Sequence, residues 1–309
     1  MEKHISVLLE ESISALNLKE DSVVVDCTLG YGGHSSYILQ RIKRGKLFAF
    51  DQDSEAIRHS TSRLSAIGTN FSNFVNLQEK LAEQDITKVD SILFDLGVSS
   101  PQLDEKERGF SYHEDARLDM RMNRENKLSA YEVVNNYSKE ELADIFYKYG
   151  EDKFSRNIAK KIVEYREQKP IETTLELVEI IKSAVPMKFR KDKHPARQIF
   201  QAIRIEVNHE LDVLEPALEQ ALSLIKVGGR VAVITFHSLE DRIVKKYFNE
   251  KCKIDDRVKG LPEIPEEFQK EFKLVVNKAI LPSKEELINN PRARSAKLRV
   301  IERVKEKEK

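Results

Sequence analysis

Asp26, Asp51 and Asp95 each close a short apolar run, and the first of them opens a glycine-dense segment, Asp26-Cys27-Thr28-Leu29-Gly30-Tyr31-Gly32-Gly33-His34. An acid at the end of a buried strand, followed by glycines, suits a nucleoside cofactor. Glycine lets the backbone turn tightly and approach a ligand, and a carboxylate ending the next strand can accept both ribose hydroxyl hydrogens. Asp51, after Lys46-Leu47-Phe48-Ala49-Phe50, occupies that second position. The loop reads G-x-G-G, whereas a pyrophosphate is seated on a helix N-terminus by G-x-G-x-x-G. A carboxylate at Asp26 would also repel a pyrophosphate yet tolerate a cationic amino-acid moiety. S-adenosylmethionine carries a sulfonium and an ammonium and no phosphate, so methyl transfer is favoured over nicotinamide chemistry. Asp95 ends a third strand, Val89 to Phe94, ahead of the polar stretch Leu96-Gly97-Val98-Ser99-Ser100-Pro101-Gln102. Open α/β sheets bind ligands outside the carboxyl ends of their strands, which makes Asp95 a candidate catalytic acid; its alternative role is a helix cap. His237, in Phe236-His237-Ser238-Leu239-Glu240, lies at another strand end and is either a second catalytic candidate or a histidine that ties the loop down.

The elements that must position these groups follow from periodicity. Val7–Leu16 is amphipathic, Val23–Val25 a strand, Ile38, Leu39 and Ile42 one helix face, and Ser54 to about Leu64 a further helix. Strands alternating with helices, and apolar throughout, mean a parallel sheet covered on both sides. From about Glu105 the pattern turns helical. Ser138-Lys139-Glu140-Glu141 is a capping box ahead of Leu142, Ile145 and Phe146, and Thr173 with Glu176 opens another helix that stops before Pro186. A helix from about Pro195 carries Ile199, Ile203, Val207 and Leu211, and a second reaches Ile225, where Gly228-Gly229 is expected to stop it. Arg230–Phe236 and Lys297–Val304 then read as strands. The expected architecture is an α/β sheet domain, 1–106 and 209–309, interrupted by a helical domain over 107–208.

Composition narrows the class. The 309 residues are 40% hydrophobic, as in a folded chain, and no run approaches the roughly 18–20 apolar residues that span a bilayer. The charged N-terminus lacks a signal-peptide core, and Cys27 and Cys252 are too few and too far apart for a disulfide framework or a cysteine metal site. A cytoplasmic address without a membrane or metal is expected. The 52 basic and 52 acidic residues cancel, so nucleic-acid contact would need local patches. Two exist: Lys188, Arg190, Lys191, Lys193, His194 and Arg197; and Arg292, Arg294, Lys297 and Arg299.

Read together, the motifs resemble the bacterial 16S ribosomal RNA cytosine-N4 methyltransferase family (RsmH, also MraW). The likeness runs through His4 with Val7-Leu8-Leu9, DCTLGYGGH at 26–34, FDQD at 50–53, LFDLGVSSPQLD at 93–104, ERGFSY at 107–112 and LDMRM at 118–122. It continues through YGEDKFSRNIAKKIV at 149–163, HPARQIFQAIRIEVNHEL at 194–211, FHSLEDRIVK at 236–245 and NPRARSAKLR at 290–299. The resemblance implies a class I (Rossmann-like) methyltransferase sheet with an inserted all-helical substrate-binding domain. It implies S-adenosyl-L-methionine as cofactor, held by positions matching Gly32, Gly33, His34, Asp51, Phe71, Asp95 and Gln102, with Phe71 in a loop around Thr69-Asn70-Phe71. Tyr31 stands where the family often has arginine and is expected to point away from the cofactor. The implied activity is methylation of the exocyclic N4 of a cytidine in the decoding region of 16S rRNA, with the 30S subunit as partner and a monomer or homodimer as the working form. RNA contacts are expected from the loop with Asp119, Arg121 and Arg124, from Lys188, Arg190, Lys193 and Arg197, and from Arg292 and Arg294. Amino-methyltransferases often place two prolines and an aromatic after the strand-end acid; Leu96-Gly97-Val98-Ser99 replaces them here, leaving base stacking unassigned. The alternatives are methylation of another nucleic acid or a protein amine, and a non-catalytic assembly factor that keeps the cofactor fold.

Overall fold

The computed structural model describes residues 6–64, 67–190 and 194–306. Contacts divide the chain into two units, Met1–Gly97 with Leu211–Lys309, and Val98–Glu210.

The first unit is built on one seven-stranded sheet in the order β3-β2-β1-β4-β5-β7-β6. Its strands are β1 (Val23–Asp26), β2 (Lys46–Asp51), β3 (Ile67–Phe71), β4 (Val89–Asp95), β5 (Ile225–Thr235), β6 (Phe272–Leu274) and β7 (Lys297–Arg303). The first five run parallel, and β7 pairs antiparallel with β5 and with β6. Chain order reverses between β1 and β4, the place where a Rossmann-like sheet opens its crevice. The register sets Asp26 beside Ala49 and Leu93, Asp51 beside Phe71, and Asp95 beside Ile234. The three acids therefore share the carboxyl edge.

Alternate side chains of each strand enter opposite cores. Val25, Phe48, Phe50, Ile92 and Phe94 pack with Leu77 and Leu81, Leu214–Leu222 and Val244–Phe248 on one face. Val24, Leu47, Leu93, Ala232 and Ile234 pack with Ile13, Leu16 and Ile38 on the other. The covering helices are α1 (Leu9–Ala15), α2 (Gly33–Arg41), α3 (Ser54–Arg63) and α4 (Leu77–Ala82) before the second unit, and α11 (Leu214–Leu224), α12 (Ser238–Lys251) and α13 (Lys284–Asn289) after it. Burial on both faces explains why the strands read as unbroken apolar runs.

Three sequence expectations change. β3 stands where a loop was expected, because an edge strand reading Ile-Gly-Thr-Asn-Phe has no apolar alternation. The three-residue edge strand β6 has too short a pattern to register. Gly228-Gly229 does not stop a helix: α11 already ends at Leu224, and the glycines lie within β5, where the pairing slips between Val89↔Ile225 and Ser91↔Arg230. Gly228 has φ +80°, and a Cβ on Gly229 would stand 2.6 Å from the Asp90 carbonyl. The pair thus makes a bulge.

The second unit holds α5 (Ser100–Asp104), α6 (Ala130–Asn136), α7 (Lys139–Lys148), α8 (Ser155–Arg166), α9 (Thr174–Ala184) and α10 (Ala196–Asn208). Capping boxes open α6, α7 and α9 at Ser129, Ser138 and Thr173. The division falls at Val98, not 107, because Ser99 caps α5 and the buried guanidinium of Arg108 donates to the carbonyls of Arg121 and Met122. It closes at Glu210, not 208, since that carboxylate pairs with Arg204 through both its oxygens. Among the described residues no helix is long and apolar enough to cross a membrane.

Asn208, 4% exposed, clasps the chain between Met120 and Met122: its Oδ1 accepts from Met122 N at 2.7 Å, and its Nδ2 donates to the Met120 and Arg204 carbonyls at 2.8 and 2.9 Å. Asn208→Ala leaves those buried groups without partners and is expected to lower unfolding free energy by about 2 kcal/mol. Urea unfolding followed by circular dichroism checks this, and an unchanged midpoint and slope would contradict it.

Candidate active site at the carboxyl edge of the sheet

The glycine loop hangs between three strand ends. Cys27 N donates to the Leu93 carbonyl at 2.8 Å and Leu29 N to the Phe50 carbonyl at 2.9 Å, so the loop continues β1 toward β4 and then folds over β2. Gly30 N donates to Asp51 Oδ2, and Asp53 N to Asp51 Oδ1, both at 2.8 Å. Each oxygen of Asp51 keeps a further lone pair, and the side chain is only half-buried. Gly32, at φ +74°, turns the chain into α2, and a Cβ there would meet Leu64 Cδ1 at 2.7 Å; a Cβ on Gly33 would meet Ser6 Oγ at 1.9 Å. Gly32 is thus favoured by its left-handed backbone, and Gly33 by the close approach of Ser6. That differs from the sequence argument, which derived them from close approach of a ligand.

Asp26 is also differently placed. It is 1% exposed, with Ser35 Oγ donating to Oδ2 at 2.6 Å and Thr28 N to Oδ1 at 3.1 Å. It anchors α2 to the loop and acts on a ligand only through its charge. Asp95 lies beside it in the sheet: its amide donates to Thr28 Oγ1 at 2.7 Å, and its Oδ2 stands 3.4 Å from Nδ1 of His34. The other oxygen, Oδ1, is buried with no hydrogen-bond partner among the described residues. His34, 5% exposed, directs Nε2 at the Val7 carbonyl, 3.1 Å away.

Burial raises the proton affinity of all three acids. Asp51 is pushed up to about 6, by burial first, against the opposing hydrogen bonds from Asp53 and Gly30. Burial, then the charges of Asp26 and Glu240, hold Asp95 well above the usual carboxylate range. Asp26 is raised by burial despite its bonds from Ser35 and Thr28. Asp26 raises both Asp51 and Asp95, so this edge disfavours further negative charge and suits a cation.

His237 turns out to be a cap. It is the N-cap of α12: its Nδ1 accepts the Glu240 amide at 3.5 Å, its Nε2 lies 3.0 Å from Glu240 Oε1, and its side chain is 8% exposed. Glu240 in return accepts the amides of Phe236 and His237 through Oε2. The cap matches the structural reading of His237, while its buried Nε2 makes no hydrogen bond among the described residues. Gln102 lies in the other unit, where it completes the capping box of α5 with Ser99. Phe71 ends β3, but its side chain lies outside the described residues. Tyr31 packs on the exposed His59 of α3 with the rings tilted by 44° and centroids 4.3 Å apart. Thr28, Ser35 and Glu240 also hold the site and were not singled out. Thr28 and Ser35 flank the glycine motif, whereas a histidine-led capping box is not a pattern that sequence rules contain.

The basic residues sort by what holds them. Arg121 donates to both oxygens of Asp119 and to the Arg124 and Asn126 carbonyls, so its guanidinium knots its own loop. Arg190 donates Nε to the Val185 carbonyl. Lys297 and Arg299 both bind Asp241, at 2.9 and 2.7 Å. Arg124, Lys188, Arg197, Arg292 and Arg294 are exposed; Lys191 and Lys193 lie outside the described residues.

A family model described as the MraW methylase family matches residues 1–304. Among solved structures, the chain is similar to an rRNA methylase from Streptococcus thermophilus, at 14% identity over 99% of each chain with a TM-score of 0.42. It is similar to a Streptococcus mutans protein described as a methyltransferase in complex with SAH, at 14% identity over 97% and 99% of the two chains with a TM-score of 0.44. A third is a SAM-dependent O-methyltransferase from Thermotoga maritima, at 11% identity over 100% of this chain and 70% of that one, with a TM-score of 0.42.

The donor set fits S-adenosylmethionine: Asp51 offers lone pairs to a ribose diol, and the acidic edge suits a sulfonium. Hydroxyls donate to a carboxylate, so the ionised form of Asp51 is the binding form, and affinity is expected to strengthen as pH rises through about 6. Asp51→Asn is expected to weaken binding about 10–100-fold at neutral pH, the value of a charged hydrogen bond or two. It should also flatten the pH dependence, and calorimetric titration between pH 5 and 8 reads both effects. A slope that survives the substitution would assign it to another group.

Proposed function

Because the chain belongs to the MraW methylase family, whose methyl donor is S-adenosylmethionine, we propose that it methylates the exocyclic N4 of a cytidine in the decoding region of 16S rRNA, within the 30S subunit. The observation that carries this reading is Asp95. Its Oδ1 is a buried acceptor without a partner among the described residues, at the end of the strand beside the switch point. A cytidine N4 amine is a poor nucleophile because its lone pair is delocalised into the ring. An acceptor for its hydrogens localises that lone pair and takes the surplus proton after transfer. The bound donor supplies a methyl group on a sulfonium, which leaves as a neutral thioether. Gly32, Gly33 and Asp51 would hold the donor, while Asp26 supports the loop from behind. The family's long motifs around 93–122 and 194–211 support a nucleic-acid target.

Methyl transfer from labelled donor to 30S subunits lacking the modification should yield N4-methylcytidine on nucleoside analysis. Asp95→Asn, at saturating donor, should lower turnover about 100-fold or more. Label in a different nucleoside, or only in protein or DNA, would reject the proposed target, and unchanged turnover would reject the role of Asp95.

The exposed cations give a second expectation. Arg292 and Arg294 occupy the turn Pro291–Ser295 that leads into β7. Replacing both with alanine should weaken 30S binding and flatten its dependence on log salt by roughly one for each phosphate no longer neutralised. Arg121→Ala should instead lower stability and leave the slope as it was. A slope unmoved by the double substitution would remove that turn from the RNA surface.

A further inference from the structure

His34 matches a cofactor-contact position of the family, yet its imidazole is buried and turned elsewhere. The Val7 carbonyl is an acceptor only, so Nε2, 3.1 Å from it, must carry a proton. Nδ1 then faces Asp95 Oδ2 at 3.4 Å. A bare imidazole lone pair and a carboxylate lone pair at that separation repel, and a single proton between them turns the contact into a hydrogen bond. The Val7 carbonyl is itself fixed. Leu8, in the left-handed region at φ 51°, donates its amide to Glu286 Oε1 of α13 at 2.7 Å, and Ser6 packs against Gly33.

On the reading that an exocyclic amine is the acceptor, we propose that His34 is a positioning residue which shares one proton with Asp95 through Oδ2 and so reserves Oδ1 for the substrate amine. The proton count closes. As the N4–methyl bond forms and the donor's carbon–sulfur bond breaks, positive charge passes to N4. The surplus N4 proton moves to Asp95 Oδ1, and the proton shared at Oδ2 ends on His34 Nδ1. The pair finishes as a neutral carboxylic acid beside an imidazolium, which returns its proton to solvent. The other titratable groups that face Asp95 are Asp26, from the end of β1, and Glu240, from the first turn of α12. Both disfavour a lone carboxylate at Asp95, and the imidazolium opposes them.

Two measurements test this. In cofactor-free protein, imidazole nitrogen shifts should show His34 protonated at Nε2, and Asp95→Asn should lower the apparent pKa of His34 by about one unit or more, the mark of a coupled pair. This readout needs neither donor nor RNA. In single-turnover transfer to 30S subunits at saturating donor, His34→Gln should slow the methyl step about tenfold or more. It should also move the ascending limb of the pH profile to higher pH, because Asp95 loses its cationic partner. Donor affinity should change less than about threefold, since the ring is not offered to the donor. A His34 titration untouched by Asp95→Asn overturns the pairing. A His34→Gln effect confined to donor affinity, with the pH profile unmoved, overturns the positioning role. Loss of the expected nucleoside product, with the coupled titration intact, rejects the proposed target and leaves the pair standing.

Discussion

The buried acids at the carboxyl edge are the constraint around which the sheet unit is arranged. Taking a carboxylate out of water disfavours its charged form, and placing several together adds mutual repulsion. Asp51 and Asp95 experience both, and Asp26 the first. The fold limits the penalty locally: Ser35 and Thr28 bind Asp26, while the amides of Gly30 and Asp53 bind Asp51. Asp95 is the exception, with one oxygen on His34 and the other unbonded among the described residues. At a strand end beside the switch point, an unpaired buried acceptor of this kind suits a ligand or a reaction that uses it. The edge is therefore poised for a cation and a hydrogen-bond donor, and a methyl sulfonium beside an amine supplies both.

The loop that carries the site is closed by the chain itself. Ser6 against Gly33, Leu64 against Gly32 and Glu286 on the Leu8 amide bring the N-terminal segment, α3 and α13 to one place. The glycines work in packing first, and the ligand inherits a backbone already turned. This gives elements far apart in sequence a hold on the geometry of His34 and Asp95. A short run of polar contacts thus leads from residue 286 to residue 95.

Legibility in the sequence followed burial. β1, β2 and β4 could be read because two-sided cores demand continuous apolar runs, and the acids that end them followed directly. The capping boxes at Ser138 and Thr173 could be read because their chemistry is local. β3 and β6 could not, since an edge strand needs little apolar character and borrows its conformation from its neighbour. Gly228-Gly229 misled because glycine serves a helix end and a strand bulge equally well. His237 was ambiguous because its role rests on Glu240 bonding back, each side chain accepting the other residue's backbone amide. The pairing of His34 with Asp95 was not legible either. It joins motifs that no spacing rule relates, and depends on a carbonyl of the N-terminal segment.

Charge was the least legible property, for a reason that bears on RNA recognition. Counting basic residues treats each as a free cation, but a guanidinium has five donors, and the fold uses many of them on carbonyls. Arg108 holds the carbonyls of residues 121 and 122, Arg121 those of 124 and 126, Arg166 those of 134 and 137, and Arg303 that of 222. Lys297 and Arg299 are claimed by Asp241, whose carboxylate they hold below its ordinary range although burial pushes it up. In loop-rich regions arginine thus acts as a backbone linker, because one planar group satisfies several carbonyls that no helix or sheet would reach. With a zero net charge, such internal use takes cations away from the patches that a count of basic residues suggests. On the proposed function, RNA affinity must then come from a small set of placed contacts together with fit to the target, since a balanced charge supplies no broad positive surface.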